Sequence, residues 1–299
     1  MTFPIYKIQT FDKIEQLGTK EKFWFYEEGT TRLLLCKIGR PGTGENWAEK
    51  VAFEIANLLT IPCASYNFAI WMNKDCVISE SFVPIYGQLI HGNELLARLM
   101  ISRAHTQKYK AGEYKISTIK ELFDMQYEYV ELPLGYQKNG DIKSAGDMFI
   151  AYLMFDCLIA NPDRHHENWG FIFDSKNKKI YLAPTYDHAS GLGCRVLDEE
   201  RIKRLKTHDK RYSISAFAKK AKTPIYDNNS ERLTTLEAFN EISSLNQTST
   251  DYWLNKLNNL SEDSLRKIFD KIPKKIISCA AIDFGVSLIK ENKKRLLSR

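Results

Sequence analysis

Residues 151–193 read AYLMFDCLIANPDRHHENWGFIFDSKNKKIYLAPTYDHASGLG, and the rest of the chain is understood outward from them. The run 148–160 is apolar nearly all round, apart from Asp156, which predicts a helix buried on every side. It is shorter than the ~20 residues a membrane helix needs. Proline cannot continue a helix, so this one ends at Asn161-Pro162 and Asp163 opens a loop fixed to a rigid support. Asn168 follows five residues on. FIF and IYL then flank the turn DSKNKK, a hairpin signature, and Asp187 lies just beyond the second strand.

The order D-x-x-x-x-N, hairpin, D suits phosphoryl transfer. That reaction needs an acidic residue to orient the accepting hydroxyl, and an amide oxygen plus a carboxylate to hold magnesium on the nucleotide phosphates. On this reading Asp163 is the catalytic base, Asn168 and Asp187 are the metal ligands, and His165 turns a donor toward the transferred phosphoryl. Two other readings stand beside it. Asp and Asn after a helix are common turn formers, so a lone D-x-x-x-x-N often arises by chance. Asp163, His165, His166, Asp187 and His188 could also serve a catalytic zinc or a two-metal hydrolase. That alternative has neither H-E-x-x-H nor a cysteine ligand set behind it, and leaves Asn168 without a role.

Toward the N-terminus the pattern is strand and turn. Strands are expected at 5–8, 23–26, 32–38, 65–71 and 76–83, with turns at Glu28-Gly29 and over 72–75. One helix, 45–59, follows GRPGTG and carries Trp47, Val51, Ile55, Leu58 and Leu59 on an apolar face. Lys37 shares a strand face with Leu33 and Leu35, while Glu49 falls on one helical stripe with Ala52, Ala56 and Leu59. These placements predict a Lys37–Glu49 ion pair with the lysine also touching phosphate oxygens, as kinases use. The plain alternative is a snorkelling lysine and a glutamate at the edge of a solvated face.

The loop LGTKEK, residues 17–22, can fold over phosphates through Gly18, Thr19, Lys20 and Lys22, although an ordinary hairpin turn looks similar. Glu80-Ser81-Phe82 falls where the sheet ends, at a hinge whose backbone can meet an adenine edge while Phe82 covers its face; a plain edge strand is the competing explanation.

Beyond Pro84 helices of mixed length are expected, including 254–260, 264–272 and 280–297. The pattern is therefore α+β: a small sheet-rich lobe bearing one helix (1–83), followed by a larger helical lobe (84–299). At 299 residues no covalent staples are needed, and the six scattered cysteines form no C-x-x-C pair, which points to a reducing cytoplasm. The first residues lack a signal-peptide pattern. Lysine and arginine number 43 against 37 acidic residues, a net charge of +6. No zinc-finger or recognition-helix pattern accompanies that excess, so neither direct nucleic-acid binding nor membrane insertion is expected.

NPDRHHENWG and APTYDHASGLG resemble the D-x-H-x-x-N loop and the metal-binding Y-D segment of the HipA-type serine/threonine kinases, in the short form without that family's N-terminal subdomain. The resemblance implies a bilobal, protein-kinase-like fold with a small antiparallel-sheet N-lobe and a larger helical C-lobe, ATP and magnesium as cofactors, and protein serine or threonine acceptors; a kinase of this kind is also expected to phosphorylate itself. Position by position it makes Asp163 the base, His165 a phosphate contact, and Asn168 and Asp187 magnesium ligands. It also matches the family's G-x-x-x-K loop to Gly18 and Lys22, its strand lysine to Lys37, and its E-x-F hinge to Glu80 and Phe82. Glu15 stands where the family's regulatory serine would be, so that switch is not expected here. A small antitoxin-like regulator is implied as a partner, although the missing subdomain removes surface used for it. A catalytically silent nucleotide-binding module and a small-molecule phosphotransferase are the alternatives. The basic run 201–211 is either solvated surface or a dock for an acidic substrate, with Thr207 and Ser213 as points of regulation.

Overall fold

The computed structural model describes residues 2–9, 12–14, 21–103, 114–126 and 128–299; Glu15, Gly18, Thr19 and Lys20 lie outside them. Six strands near the N-terminus form one sheet: β1 (Ile5–Lys7), β2 (Lys13–Ile14), β3 (Lys22–Tyr26), β4 (Leu33–Ile38), β5 (Asn67–Trp71) and β6 (Lys74–Glu80), in the order β1-β5-β6-β4-β3-β2. All its pairings are antiparallel except β1 with β5. Period-two alternation gives the sheet two different faces. Phe23, Phe25, Leu34, Cys36, Ala69, Cys76 and Ile78 make a small cluster on the outer face. Phe68 and Val77 point the other way into the main core, against α1 (Glu45–Leu58). There Val51, Ala52, Ile55 and Ala56 are fully buried and Trp47 and Leu59 nearly so, whereas Leu58, expected on the same apolar face, is exposed at the end of the helix.

The β5–β6 turn is tighter than expected. Trp71 pairs with Lys74, leaving Met72 and Asn73 alone in the loop, both in the left-handed region at φ 47° and 61°. Two consecutive left-handed residues define the hairpin turn whose twist matches that of the flanking strands. Strand β6 consequently begins two residues early and stops at Glu80.

The C-terminal part holds more strand than the sequence pattern indicates. The expected hairpin of β9 (Gly170–Asp174) and β10 (Lys179–Leu182) is flanked by β7 (Gly87–His91) and β8 (Val130–Glu131), in the order β7-β9-β10-β8. A separate pair, β11 (Lys222–Tyr226) and β12 (Arg232–Thr234), completes the strands. β8 is too short to display alternation. β7 depends on a tertiary fit, since a side chain on Gly170 would collide with the Ile90 carbonyl across the ladder.

Nine helices of the described residues lie beyond α1: α2 (Gly92–Arg103), α3 (Ile116–Met125), α4 (Ala145–Leu158), α5 (Asp198–Lys206), α6 (Ile214–Lys219), α7 (Thr235–Ser243), α8 (Gln247–Asn258), α9 (Glu262–Asp270) and α10 (Cys279–Leu297). α4 is the predicted all-round apolar helix: every one of its residues is buried, between α3, α7, α8 and α10. A capping box starts it, Ser144 accepting from Asp147 N–H and Asp147 accepting from Ser144 N–H. α8 begins well before the expected residue 254 because its first turn is polar but internally satisfied, with Asn246 capping Ser249 and Thr250 buried. No helix of the described residues is long and apolar enough to cross a membrane.

Candidate active site

Lys37 stands at the centre of the site. It ends the row begun by Leu33 and Leu35, which are half-buried, and its own side chain is almost wholly covered. Its Nζ donates to Glu49 Oε1 at 2.6 Å and to Asp187 Oδ1 at 2.9 Å. Burial alone pulls the ammonium toward neutrality. The Asp187 and Glu49 carboxylates outweigh it and hold the pKa well above the ordinary lysine value. The second oxygen of Glu49 accepts the His188 N–H at 2.8 Å, so one side chain of α1 ties both the sheet lysine and the segment after β10.

Asp187 adopts φ 60°, a conformation that costs a non-glycine residue roughly 1–2 kcal/mol. Such strain persists only where the surroundings over-determine it. Here its N–H donates to the Tyr66 hydroxyl at 3.2 Å while its carboxylate meets Lys37.

The other half of the site hangs on Arg164, fully buried directly after Asp163. Its guanidinium grips Asp156 of α4 through two bonds, Nε to Oδ2 at 2.6 Å and Nη2 to Oδ1 at 2.8 Å. It also donates to the Asn168 carbonyl, to the Tyr186 carbonyl at 3.3 Å and to Thr185 Oγ1 at 2.9 Å. One side chain thereby locks together the end of the core helix, the loop 163–168 and the segment before Asp187. His188 joins this hub with Nε2 at 3.1 Å from Arg164 Nη2, and burial followed by that guanidinium pushes its pKa well below the usual histidine range, so it stays neutral.

On this support Asp163 presents a half-exposed carboxylate, whose Oδ2 accepts from Ser190 Oγ at 3.2 Å. His165 Nε2 lies 4.0 Å from Oδ1 of the same carboxylate. Asn168 is buried, and its amide nitrogen donates to the Asp163 carbonyl at 2.6 Å, so its oxygen is the atom it offers a ligand. An amide oxygen and a carboxylate form a hard donor set. It fits magnesium, which needs only one or two protein oxygens because water and phosphates complete its shell. No three of the His, Cys, Asp and Glu side chains among the described residues gather as a metal cluster. The zinc reading meets a positive obstacle as well: His188 is bonded into the Arg164 hub and His166 packs edge-on against Tyr114.

The remaining expected site residues divide. Lys22 pairs with Lys37 in the β3–β4 ladder and so shares its face. Glu80 ends β6 opposite Leu34, on the outer face, and its carboxylate bonds exposed Arg32 at 2.8 Å, leaving backbone at the hinge. Phe82 stacks on Tyr186, with ring centres 5.4 Å apart and planes at 27°. Tyr186 in turn donates to the Glu167 carbonyl at 2.9 Å, so the hinge aromatic touches the segment that carries Asp187. Gly18, Thr19 and Lys20 lie outside the described residues. Sequence reasoning missed Arg164, Tyr66, Tyr186 and Ser190. The signal for Arg164 was Asp156, a carboxylate inside an apolar helix, which requires a buried partner.

A mainly antiparallel sheet with one helix, a buried lysine–glutamate pair between them, and a largely helical second part that carries Asp163, Asn168 and Asp187 describe a protein-kinase-like fold. The crystal structure of the Helicobacter pylori proinflammatory kinase CtkA matches with a TM-score of 0.74 at 19% identity, over 99% of this chain and 96% of that one. HipA of Shewanella oneidensis MR-1, solved with HipB and operator DNA, matches at 0.54 and 12% identity, over 99% of this chain and 67% of that one. In sequence, the serine/threonine-protein kinase CtkA of H. pylori (strain J99 / ATCC 700824) is 28% identical over 148 residues, a segment that spans 49% of this chain and 40% of that relative. The model of the HipA-like C-terminal domain matches residues 17–279, and the chain belongs to that family.

Proposed function

We propose that the chain is an ATP- and magnesium-dependent serine/threonine protein kinase of HipA type that also phosphorylates itself. The observation that carries this reading is the convergence of Lys37, Glu49 and Asp187 across two parts of the fold, at 2.6 and 2.9 Å. A buried lysine held between two carboxylates is preorganised for a polyphosphate, whose oxygens gain from a fixed cation. Family membership and the kinship with CtkA support the same reading.

In this assignment Lys37, and Lys22 beside it, hold the nucleotide phosphates with Gly18, Thr19 and Lys20 of the preceding loop; Glu49 positions Lys37. The backbone at Glu80 and the ring of Phe82 line the adenine end. Magnesium, bound by the oxygens of Asn168 and Asp187, would neutralise charge on the phosphates. Asp163 orients the acceptor hydroxyl and takes its proton, and His165 contacts the transferred phosphoryl. The lobes are proposed as 1–83 and 84–299, because β6 ends at Glu80 whereas β7 pairs with β9. The acceptor is a protein serine or threonine, the proposed location is the cytoplasm, and a small antitoxin-like regulator is a proposed partner by analogy with HipA, which was solved with HipB.

The test is transfer of label from γ-32P-ATP to the chain itself and to proteins of a bacterial lysate. Wild type should label protein only with magnesium present. Asp163→Asn should lose transfer by a factor of at least ~100 while still binding nucleotide, since the base acts on the acceptor. Undiminished transfer by that variant would remove Asp163 from its role.

A further inference from the structure

Ser190 places a hydroxyl of the chain itself in front of Asp163. Its Oγ donates to Asp163 Oδ2 at 3.2 Å, three residues beyond Asp187. Arg195 Nη2 donates to the same Ser190 Oγ at 3.3 Å and to Glu45 Oε1 at 3.1 Å. Glu45, only 1% exposed, also accepts from Arg40 Nη1 at 2.7 Å, with Arg40 N–H on its other oxygen at 3.1 Å. One buried carboxylate therefore gathers two guanidiniums, whose side chains are 43% and 54% exposed. The cluster carries an excess positive charge beside a half-buried hydroxyl that already touches the base. The turn is held from behind: Leu192 N–H donates to the Ile159 carbonyl at the end of α4, and Leu192 and Gly193 both take left-handed φ.

We propose that Ser190 is an intramolecular phosphate acceptor of this site, an inference that rests on the kinase reading above. Its hydrogen bond to Asp163 is the one an acceptor hydroxyl makes before transfer. In the step, the Ser190 hydroxyl proton passes to Asp163 Oδ2 and Oγ bonds to the γ-phosphorus of ATP. The bond from that phosphorus to the β–γ bridging oxygen breaks, and ADP leaves. Arg195 is in place to receive the product, because a phosphoserine offers three strong acceptors and guanidinium–phosphate bonds are charge-assisted. The new group, with a charge of about −1.5 to −2 beside the Asp163 carboxylate, would then occupy the base and exclude outside acceptors. Self-phosphorylation at this point would be self-limiting, at one phosphate per chain.

The same contact would also arise if Ser190 only oriented Asp163, and the experiment separates the two. Wild type is incubated with magnesium and ATP in the presence of casein, digested with trypsin, and the peptide 180–195 is sequenced by fragment mass. The proposal expects phosphate on Ser190, and not on Thr185 or Tyr186 of that peptide, at a rate independent of protein concentration. It expects none on Asp163→Asn chains mixed with wild type. Labelled casein with Ser190 unmodified overturns the proposal while the kinase reading stands. No label on any protein overturns both. A second readout needs no nucleotide: with phosphoserine installed at 190 by genetic encoding, the second phosphate ionisation followed by 31P resonance should fall lower than in the same chain carrying Arg195→Met. Equal values contradict the proposed receiving site.

Discussion

The chemistry of this chain depends on how single side chains are held, and Arg164 shows it most plainly. A buried guanidinium is tolerable only because Asp156 neutralises it and four further acceptors satisfy its remaining donors. Arg164→Met leaves Asp156 charged in the core without a counter-ion, with only the Asn161 amide still bonded to it, and a predicted loss of roughly 3–5 kcal/mol in urea unfolding. Arg164→Lys should recover only part of it, since one ammonium cannot reproduce the planar fork. A loss under about 1 kcal/mol for the methionine variant would mean the hub is incidental. The sequence made the Lys37–Glu49 pair readable from their positions on a strand and a helix, and spacing pointed to Asp163, Asn168 and Asp187 as the proposed base and metal ligands. Arg164 was not readable because its role is to join three backbone segments that only the fold brings together.

At the scale of elements, legibility followed periodicity. α1, α4, α9, α10, β3, β4 and the β9–β10 hairpin carry enough residues to display a period, and each was found close to its expected place. β7 and β8 were not, because two to five residues cannot announce a pairing whose partner is remote in sequence, nor was the neighbouring β11–β12 pair, whose first strand carries Pro224 and whose second has only three residues. The β5–β6 turn was read too long because Met72 is an unusual residue for a left-handed position. That misfit is itself testable: Met72→Asn combined with Asn73→Gly places the residues this turn favours and should stabilise the chain by about 1 kcal/mol in thermal unfolding. Destabilisation would show that exposed Met72 contributes packing of its own. At the start of α4, Ser144→Ala removes one arm of the capping box and should cost about 1 kcal/mol, seen as a lower urea midpoint with unchanged slope.

For the molecule as a whole, the site is assembled from segments up to 150 residues apart, since Lys37 and Asp187 meet only across the two parts of the fold. Glu49 sits between them, bonding the sheet lysine with one oxygen and the His188 N–H with the other. In the proposed function this junction seats a magnesium-bound nucleotide, so the two ligands must bind interdependently. Calorimetric titration of ATP into wild type and into Asp187→Asn, with and without magnesium, examines that claim most directly. Wild type should bind ATP at least about tenfold tighter with magnesium, about 1.4 kcal/mol, and the variant should lose that gain while remaining folded. ATP affinity in wild type that is absent altogether, or equal with and without magnesium, would contradict it.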